Sequence, residues 1–173
     1  VHALGQVVNF HTRATIPCKK LCTGLQRFLP DDIVVRNAEE VPEDFHARYQ
    51  ATRKRYRYVI LNSRVPDPFL RRYAYRIGKR LDDAAMHAAA QALVGTHDFR
   101  SFESHFPNRS SSVRTVMELT VARHADWELW NPRLSPVDAE GRFMCVDIVA
   151  DGYLYNMVRS ITGTLLKVGL GNR

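Results

Sequence analysis

Arg53-Lys54-Arg55-Tyr56-Arg57-Tyr58-Val59-Ile60 alternates cation and aromatic at a two-residue period, the spacing at which a β-strand sends side chains to opposite faces. Read as a strand, it places Tyr56, Tyr58 and Ile60 on one face and Arg55, Arg57 and Val59 on the other. A tyrosine ring can stack on a nucleobase, worth about 1–3 kcal/mol per base, and a guanidinium neutralises phosphate. The combination suits looped or single-stranded RNA; the plainer reading is a solvated basic face over two core tyrosines. Arg159 is the second candidate. It precedes Ile161 by two positions and lies opposite the stripe Leu154, Met157, Val158, Ile161, Leu165 and Val168, with Tyr155 and Thr162 at helical spacing from it. From there it can point into a cleft, or be an ordinary solvated arginine. Asp98, inside Thr96-His97-Asp98-Phe99-Arg100-Ser101-Phe102, is a lone carboxylate with no activating partner in its motif. Its neighbours Phe99 and Phe102 read as loop anchors rather than ligands.

The composition narrows the partner. Lys and Arg number 25 against 18 Asp and Glu in 173 residues, a formal charge of +7, which favours a polyanion, nucleic acid before an anionic membrane. With 45% hydrophobic residues, the chain can bury a sizeable core at the size of one domain or a large piece of one. No run of about 18 apolar residues and no signal-peptide pattern occurs, so neither a membrane span nor secretion is expected, and the cytoplasm is. Three cysteines, Cys18, Cys22 and Cys145, form no disulfide framework. Cys18 and Cys22 share a helical spacing, but no second ligand pair and no HExxH pattern joins them, so no metal is expected.

The elements that must position these residues follow from period and punctuation. Gln6 to His11 is β-prone and Lys19 to Leu29 helical, with Leu21, Leu25 and Phe28 in register; Ile33 to Val41 reads as a strand and Pro42 to Arg48 as a loop. Beyond the alternating strand, Val65-Pro66-Asp67-Pro68 is turn chemistry, and Phe69 to Ile77 is a surface arm rich in arginine and tyrosine. Asp82 caps a helix from Asp83 to Leu93 that Gly95 ends. Arg109 to Ser112 is a polar loop and Val113 to Arg123 a half-buried strand. Trp127 to Gly141, with Pro132 and Pro136, is an excursion, and Phe143 to Ala150 is the next strand. Asp151-Gly152 turns the chain into a helix from Tyr153 to Val168. The order predicts an α+β domain: an antiparallel mixed sheet with helices packed on one face, the open face forming a cleft for RNA.

Four stretches, in order and spanning nearly the whole chain, resemble the tRNA pseudouridine synthases of the TruA type. They are Val1-His2-Ala3-Leu4-Gly5-Gln6-Val7-Val8-Asn9-Phe10; Phe45-His46-Ala47-Arg48-Tyr49 with Lys54-Arg55-Tyr56-Arg57-Tyr58; Gly95 to Phe102; and Gly152-Tyr153-Leu154-Tyr155-Asn156-Met157-Val158-Arg159. The resemblance implies the pseudouridine synthase fold over residues 1–173 and isomerisation of uridine in the anticodon stem-loop of tRNA, without cofactor. It also implies a homodimer. The family's nucleophilic aspartate would stand three residues before Val1, so the chain is expected to be a fragment, inactive alone, lacking an N-terminal segment with that aspartate and also a C-terminal segment. Tyr56 matches the tyrosine that stacks on the target base and serves the later proton steps. Arg159 matches the basic residue that pairs with the aspartate. Substrate contacts are expected from His2, Gln6, Arg48, Arg55, Arg57, Tyr58 and Arg114. The alternative is a non-catalytic RNA-binding module.

Overall fold

Apart from Asp147, every residue of Phe143–Ala150 is apolar, and all but Asp147 are buried. A strand apolar on both faces belongs inside a sheet covered on both sides. The computed structural model, which describes residues 2–104, 111–124 and 141–171, places it there. The chain divides into two units, Val1–Ala51 and Thr52–Arg173.

In the second unit, β1 (Lys54–Asn62), β2 (Tyr75–Ile77), β3 (Gly95–Asp98), β4 (Val113–His124) and β5 (Phe143–Ala150) form one sheet in the order β2-β1-β5-β4-β3. β1 and β2 run parallel; the other neighbours are antiparallel. Helices α2 (Asp83–Gln91) and α3 (Met157–Gly169) belong to the same unit. Both lie on one face. Met86 and Ala90 of α2 and Met157, Ile161 and Leu165 of α3 share a core with Ile60, Leu119, Val121, Met144, Val146 and Ile148. The expected α+β architecture, a mixed sheet under helices, is therefore what the chain adopts. The helices approach closely at Gly169, where a Cβ would meet Met86 Sδ at 2.5 Å. The opposite face has a smaller core of Val59, Leu61, Leu70, Phe143 and Cys145.

Local chemistry explains the boundaries. The Asp82 carboxylate accepts from the Ala85 amide at 2.9 Å and caps α2. Gly95, at φ +113°, adopts a conformation that glycine enters without steric cost, and the chain turns there into β3. Three sequence expectations are corrected in this unit. The helix predicted from Tyr153 begins at Met157, because Asn156 sits in the left-handed region at φ 58°. Thr162 does not share an outward side with Arg159: it is buried and its hydroxyl donates to the Val158 carbonyl at 2.8 Å. The arm from Phe69 to Ile77 is only partly surface, since Leu70 is buried and Tyr75–Ile77 pairs with β1.

Among its described residues the first unit contains one helix, α1 (Cys18–Gln26), which carries Leu21 and Leu25 as their spacing predicts but ends before Phe28, 89% exposed, and so falls short of the expected Leu29. None of its described residues is buried. Gln6 to His11 and Ile33 to Val41 are not strands. Side-chain amides take the place of a strand partner: Gln26 donates to the Ile33 carbonyl and accepts from the Val35 amide, while Asn9 donates to the Phe45 carbonyl and accepts from the Ala47 amide. The excursion around Trp127 to Pro136 and the Arg109-Ser110 part of the polar loop lie outside the described residues. Among the described residues, no helix is long and apolar enough to cross a membrane.

Candidate active site

The register fixes which side chains meet at the end of the sheet where β1 begins and β5 ends. Lys54 lies opposite Ala150 and Tyr56 opposite Ile148. Beyond Ala150, Asp151 is held against β4, its amide donating to the Thr115 carbonyl and its carboxylate accepting from the Thr115 amide, both at 3.1 Å. The chain then passes through Gly152 to Asn156 and enters α3. That helix runs back along the sheet, because the Asp82 amide donates to the Gly169 carbonyl while the Leu81 amide donates to Asn62 Oδ1 at the far end of β1. Its first turn, which carries Arg159, therefore stands at the same end of the sheet as Tyr56.

Tyr56 is held there by a residue that sequence reading missed. The Tyr153 hydroxyl lies 2.8 Å from the Lys54 carbonyl and 2.9 Å from the Ile148 carbonyl, both acceptors. So anchored, the Tyr153 ring meets Tyr56 edge to face, with centroids 4.9 Å apart and planes at 87°. This geometry suits the aromatic quadrupole. Burial pushes the Tyr153 hydroxyl above the usual tyrosine range, and neighbouring Tyr56 adds to the rise, so it stays protonated as a donor. Tyr56 remains 39% exposed, with ring surface left for a planar ligand. The signal for Tyr153 was present in the motif, but a helical period assigned it to α3.

The first turn of α3 is set by a second clasp. Asn156 Nδ2 donates to Ser104 Oγ at 3.1 Å and the Ser104 amide donates to the Tyr155 carbonyl at 3.1 Å. Asn is one of the few residues other than glycine that visits the left-handed region at modest cost. Arg159, three residues on, is exposed and forms no hydrogen bond or ion pair with another described residue. Arg114 joins this end of the sheet: its Cδ and Nε lie 3.6 Å from where a Cβ on Gly152 would stand, and its guanidinium donates to the Ser111 carbonyl at 3.0 Å.

The remaining expected contacts separate into groups. Arg55 bonds Glu118 at 2.9 Å with both side chains more than half exposed, a pair worth about 0–1 kcal/mol that an incoming anion can displace. Arg57 is different. Its guanidinium makes a two-pronged bond to Asp147 at 2.8 and 2.9 Å in a mostly buried setting. Desolvation opposes its charge, but the bond to Asp147 and that carboxylate's field outweigh it and raise its pKa. That geometry makes Arg57 the partner of a half-buried carboxylate. Tyr58, partly buried, packs against the helix-side core. Tyr56 itself lies on the helix-covered face, at its open end, and not on the open face. His2, Gln6 and Arg48 belong to the first unit, where each is exposed and the Arg48 guanidinium stands 5.8 Å from the Tyr49 ring centre.

Behind Arg57, two titratable side chains of the opposite face are shifted toward their neutral forms. Burial pushes the Cys145 thiol up to about 12, and burial with the Arg57 charge lowers the pKa of His124. Tyr56, Arg55 and Arg159 are instead exposed at the end of the sheet. There a fixed ring can stack on a flat ligand, and unpaired guanidinium donors can take a carboxylate or phosphate.

A sequence model described as tRNA pseudouridine synthase matches residues 89–173, the part that carries β4, β5 and Arg159. The chain is 44% identical over 171 residues to tRNA pseudouridine synthase A of Acetivibrio thermocellus, covering 99% of this chain and 64% of that protein. It is 45% identical over 171 residues to the protein of the same name from Thermoanaerobacter pseudethanolicus, again covering 99% and 64%. The Moorella thermoacetica protein of that name is 44% identical over 169 residues, covering 98% and 62%. The chain thus spans less than two thirds of the length of these relatives.

Proposed function

The chain belongs to the tRNA pseudouridine synthase family, and from that premise we propose that the protein isomerises uridine to pseudouridine in the anticodon stem-loop of tRNA. In this reading residues 1–173 are the catalytic domain, and the nucleophilic aspartate is supplied from outside them. The observation that carries it is the Tyr56 ring held edge-on by Tyr153 at the sheet end that also receives the first turn of α3.

The reaction breaks the bond between ribose C1′ and uracil N1, turns the ring, and joins C1′ to C5. The C5 proton then leaves and N1 regains one, so atoms balance without an oxidant or cofactor. Tyr56 has two tasks. Its ring stacks on the extruded uracil, offsetting part of the few kcal/mol needed to unstack it, and its hydroxyl takes part in moving the C5 proton. Arg159 pairs with the aspartate at the sugar and keeps it ionised in a site from which the RNA excludes water. Arg55 exchanges Glu118 for an RNA phosphate, and Arg114 contributes a further contact; His2, Gln6 and Arg48 of the first unit make RNA contacts of their own. Arg57 supports the strand from the opposite face and Tyr58 from the helix-side core.

We also infer a cytoplasmic homodimer, as the family resemblance implies; sedimentation of the full-length protein at micromolar concentration checks the dimer. Incubation of the full-length protein with unmodified tRNA transcripts, followed by mapping of pseudouridine, tests the main proposal. Modification confined to anticodon-arm uridines is expected. Binding of tRNA without any pseudouridine formed would leave only an RNA-binding module.

A further inference from the structure

The segment from Arg64 to Arg80 carries chemistry that the site at the other end of the sheet does not use. It holds six cations (Arg64, Arg71, Arg72, Arg76, Lys79 and Arg80) and three aromatics (Phe69, Tyr73 and Tyr75) against a single acid, Asp67. That acid is engaged: its carboxylate accepts from the Phe69 amide at 3.1 Å and faces Arg142 at 4.0 Å. All six cations are exposed, and among the described residues none forms an ion pair with an acid.

Local geometry turns these side chains outward. Leu70 is buried and Ala74 packs against the same cluster as Val59, Leu61, Phe143 and Cys145. The Tyr73 and Ala74 amides both donate to the Leu70 carbonyl at 2.9 Å, which closes one helical turn. With the first and fifth residues of that turn inward, Arg71 and Arg72 face away, and Tyr73 at its flank is 46% exposed. Tyr75 and Arg76 follow on β2, an outer strand of the sheet whose free edge no described strand pairs. Phe69 is 88% exposed and Tyr75 54%. The Arg76 guanidinium donates to the Arg64 carbonyl and Lys79 Nζ to the Leu170 carbonyl at 3.2 Å, neutral acceptors that leave both charges uncompensated; exposed rings beside such cations stack on bases or sugars while the cations bind phosphates.

β2 pairs with Ile60 to Asn62, four to six residues along β1 from Tyr56. At about 3.3 Å per residue β2 stands roughly 13–20 Å along the sheet from the catalytic tyrosine, and Leu70 anchors the rest of the arm on the opposite face of the sheet, so an RNA that meets both passes round the β2 edge. The distance is too great to touch the target nucleotide, and it matches the rise of about four to six base pairs at 3.4 Å each.

We propose that the Arg64–Arg80 arm is a second RNA-contact surface, which grips the phosphate backbone of the substrate outside the loop being modified. It rests on the RNA reading above and assigns to the arm a preference for the body of a folded RNA over an isolated hairpin.

The test is equilibrium binding by the full-length protein of an unmodified full-length tRNA transcript and of a short anticodon stem-loop, each across a salt series. Two triple variants are compared with the parent: Arg71→Gln with Arg72→Gln and Arg76→Gln, and the same positions changed to Lys. The glutamine variant is expected to bind the full transcript at least ~10-fold more weakly and to lower the log-log salt slope by about 2, since each phosphate contact contributes about 0.7–0.9. Its affinity for the hairpin stays that of the parent, and the lysine variant keeps most of the affinity for both RNAs. Unchanged affinity and slope for the full transcript overturn the proposal. So does equal loss by both triples on both RNAs, or a glutamine variant whose only deficit is binding to phosphatidylserine vesicles. These are binding measurements, so a protein that forms no pseudouridine yet shows the arm-dependent difference loses the isomerase reading and keeps the arm.

Discussion

Arg57 and Arg159 are the same residue type in opposite surroundings, and the difference decides their roles. Arg57 is bonded at two points to a half-buried carboxylate, so its loss strands Asp147 in a setting where an unpaired charge is costly. Arg57→Gln is expected to lower the unfolding free energy by about 1–3 kcal/mol and to leave tRNA affinity unchanged, as urea denaturation and filter binding can measure. The reverse pattern would make Arg57 a phosphate ligand. Arg159 has no such tie. Arg159→Ala is expected to spare stability and lower kcat at least ~100-fold, about 2.7 kcal/mol, because in the proposed mechanism the aspartate would lose its counter-charge; an unchanged kcat removes it from the mechanism. Alternation along Arg53 to Ile60 correctly assigned the two faces of the strand. It could not tell that Asp147, 90 positions away, sits opposite Arg57, because cross-strand pairing is not written in either strand alone.

At the scale of elements, the site depends on the turn between β5 and α3. Tyr153 is outside the helix, and its anchored hydroxyl and ring define where Tyr56 stands. An edge-to-face pair is worth about 0.5–1.5 kcal/mol, so Tyr153→Leu is expected to lower kcat three- to tenfold with KM for tRNA unchanged. Tyr153→Phe, which keeps the ring, recovers most of that loss. Equal effects of the two substitutions would show that ring packing does not position Tyr56. The apolar stripe of α3 was legible because burial against a sheet imposes its period. The helix start was not, since the motif's Asn156 adopts a left-handed backbone that no hydrophobic pattern reports. In the first unit, Gln6 to His11 and Ile33 to Val41 have strand-like composition without strand partners. Amide side chains supply the bonds instead, a choice that propensity does not register.

For the whole molecule, the sequence revealed the layered architecture, because a strand apolar on both faces, a capped helix and an amphipathic helix leave few ways to bury a core. The opposite face carries a prediction about pH. Burial, then the charge of Arg57, lowers the folded pKa of His124 below its unfolded value near 6.5. The unfolded chain then binds more protons in that window, so stability rises with pH. The contribution of His124 is complete above about pH 6.5 and is lost as pH falls toward the lowered folded value. Urea midpoints are expected to drop between pH 7.5 and pH 5, with a smaller drop in His124→Gln; identical profiles would exclude His124 as a source. The central claim, that the held Tyr56 ring and hydroxyl perform the isomerisation, is tested most directly by tritium release from tRNA carrying 5-tritiated uridine. With the full-length protein and its Tyr56→Phe variant at matched tRNA occupancy, the account predicts release by the parent, none by the variant, and equal affinity for tRNA. Undiminished release by Tyr56→Phe would contradict it.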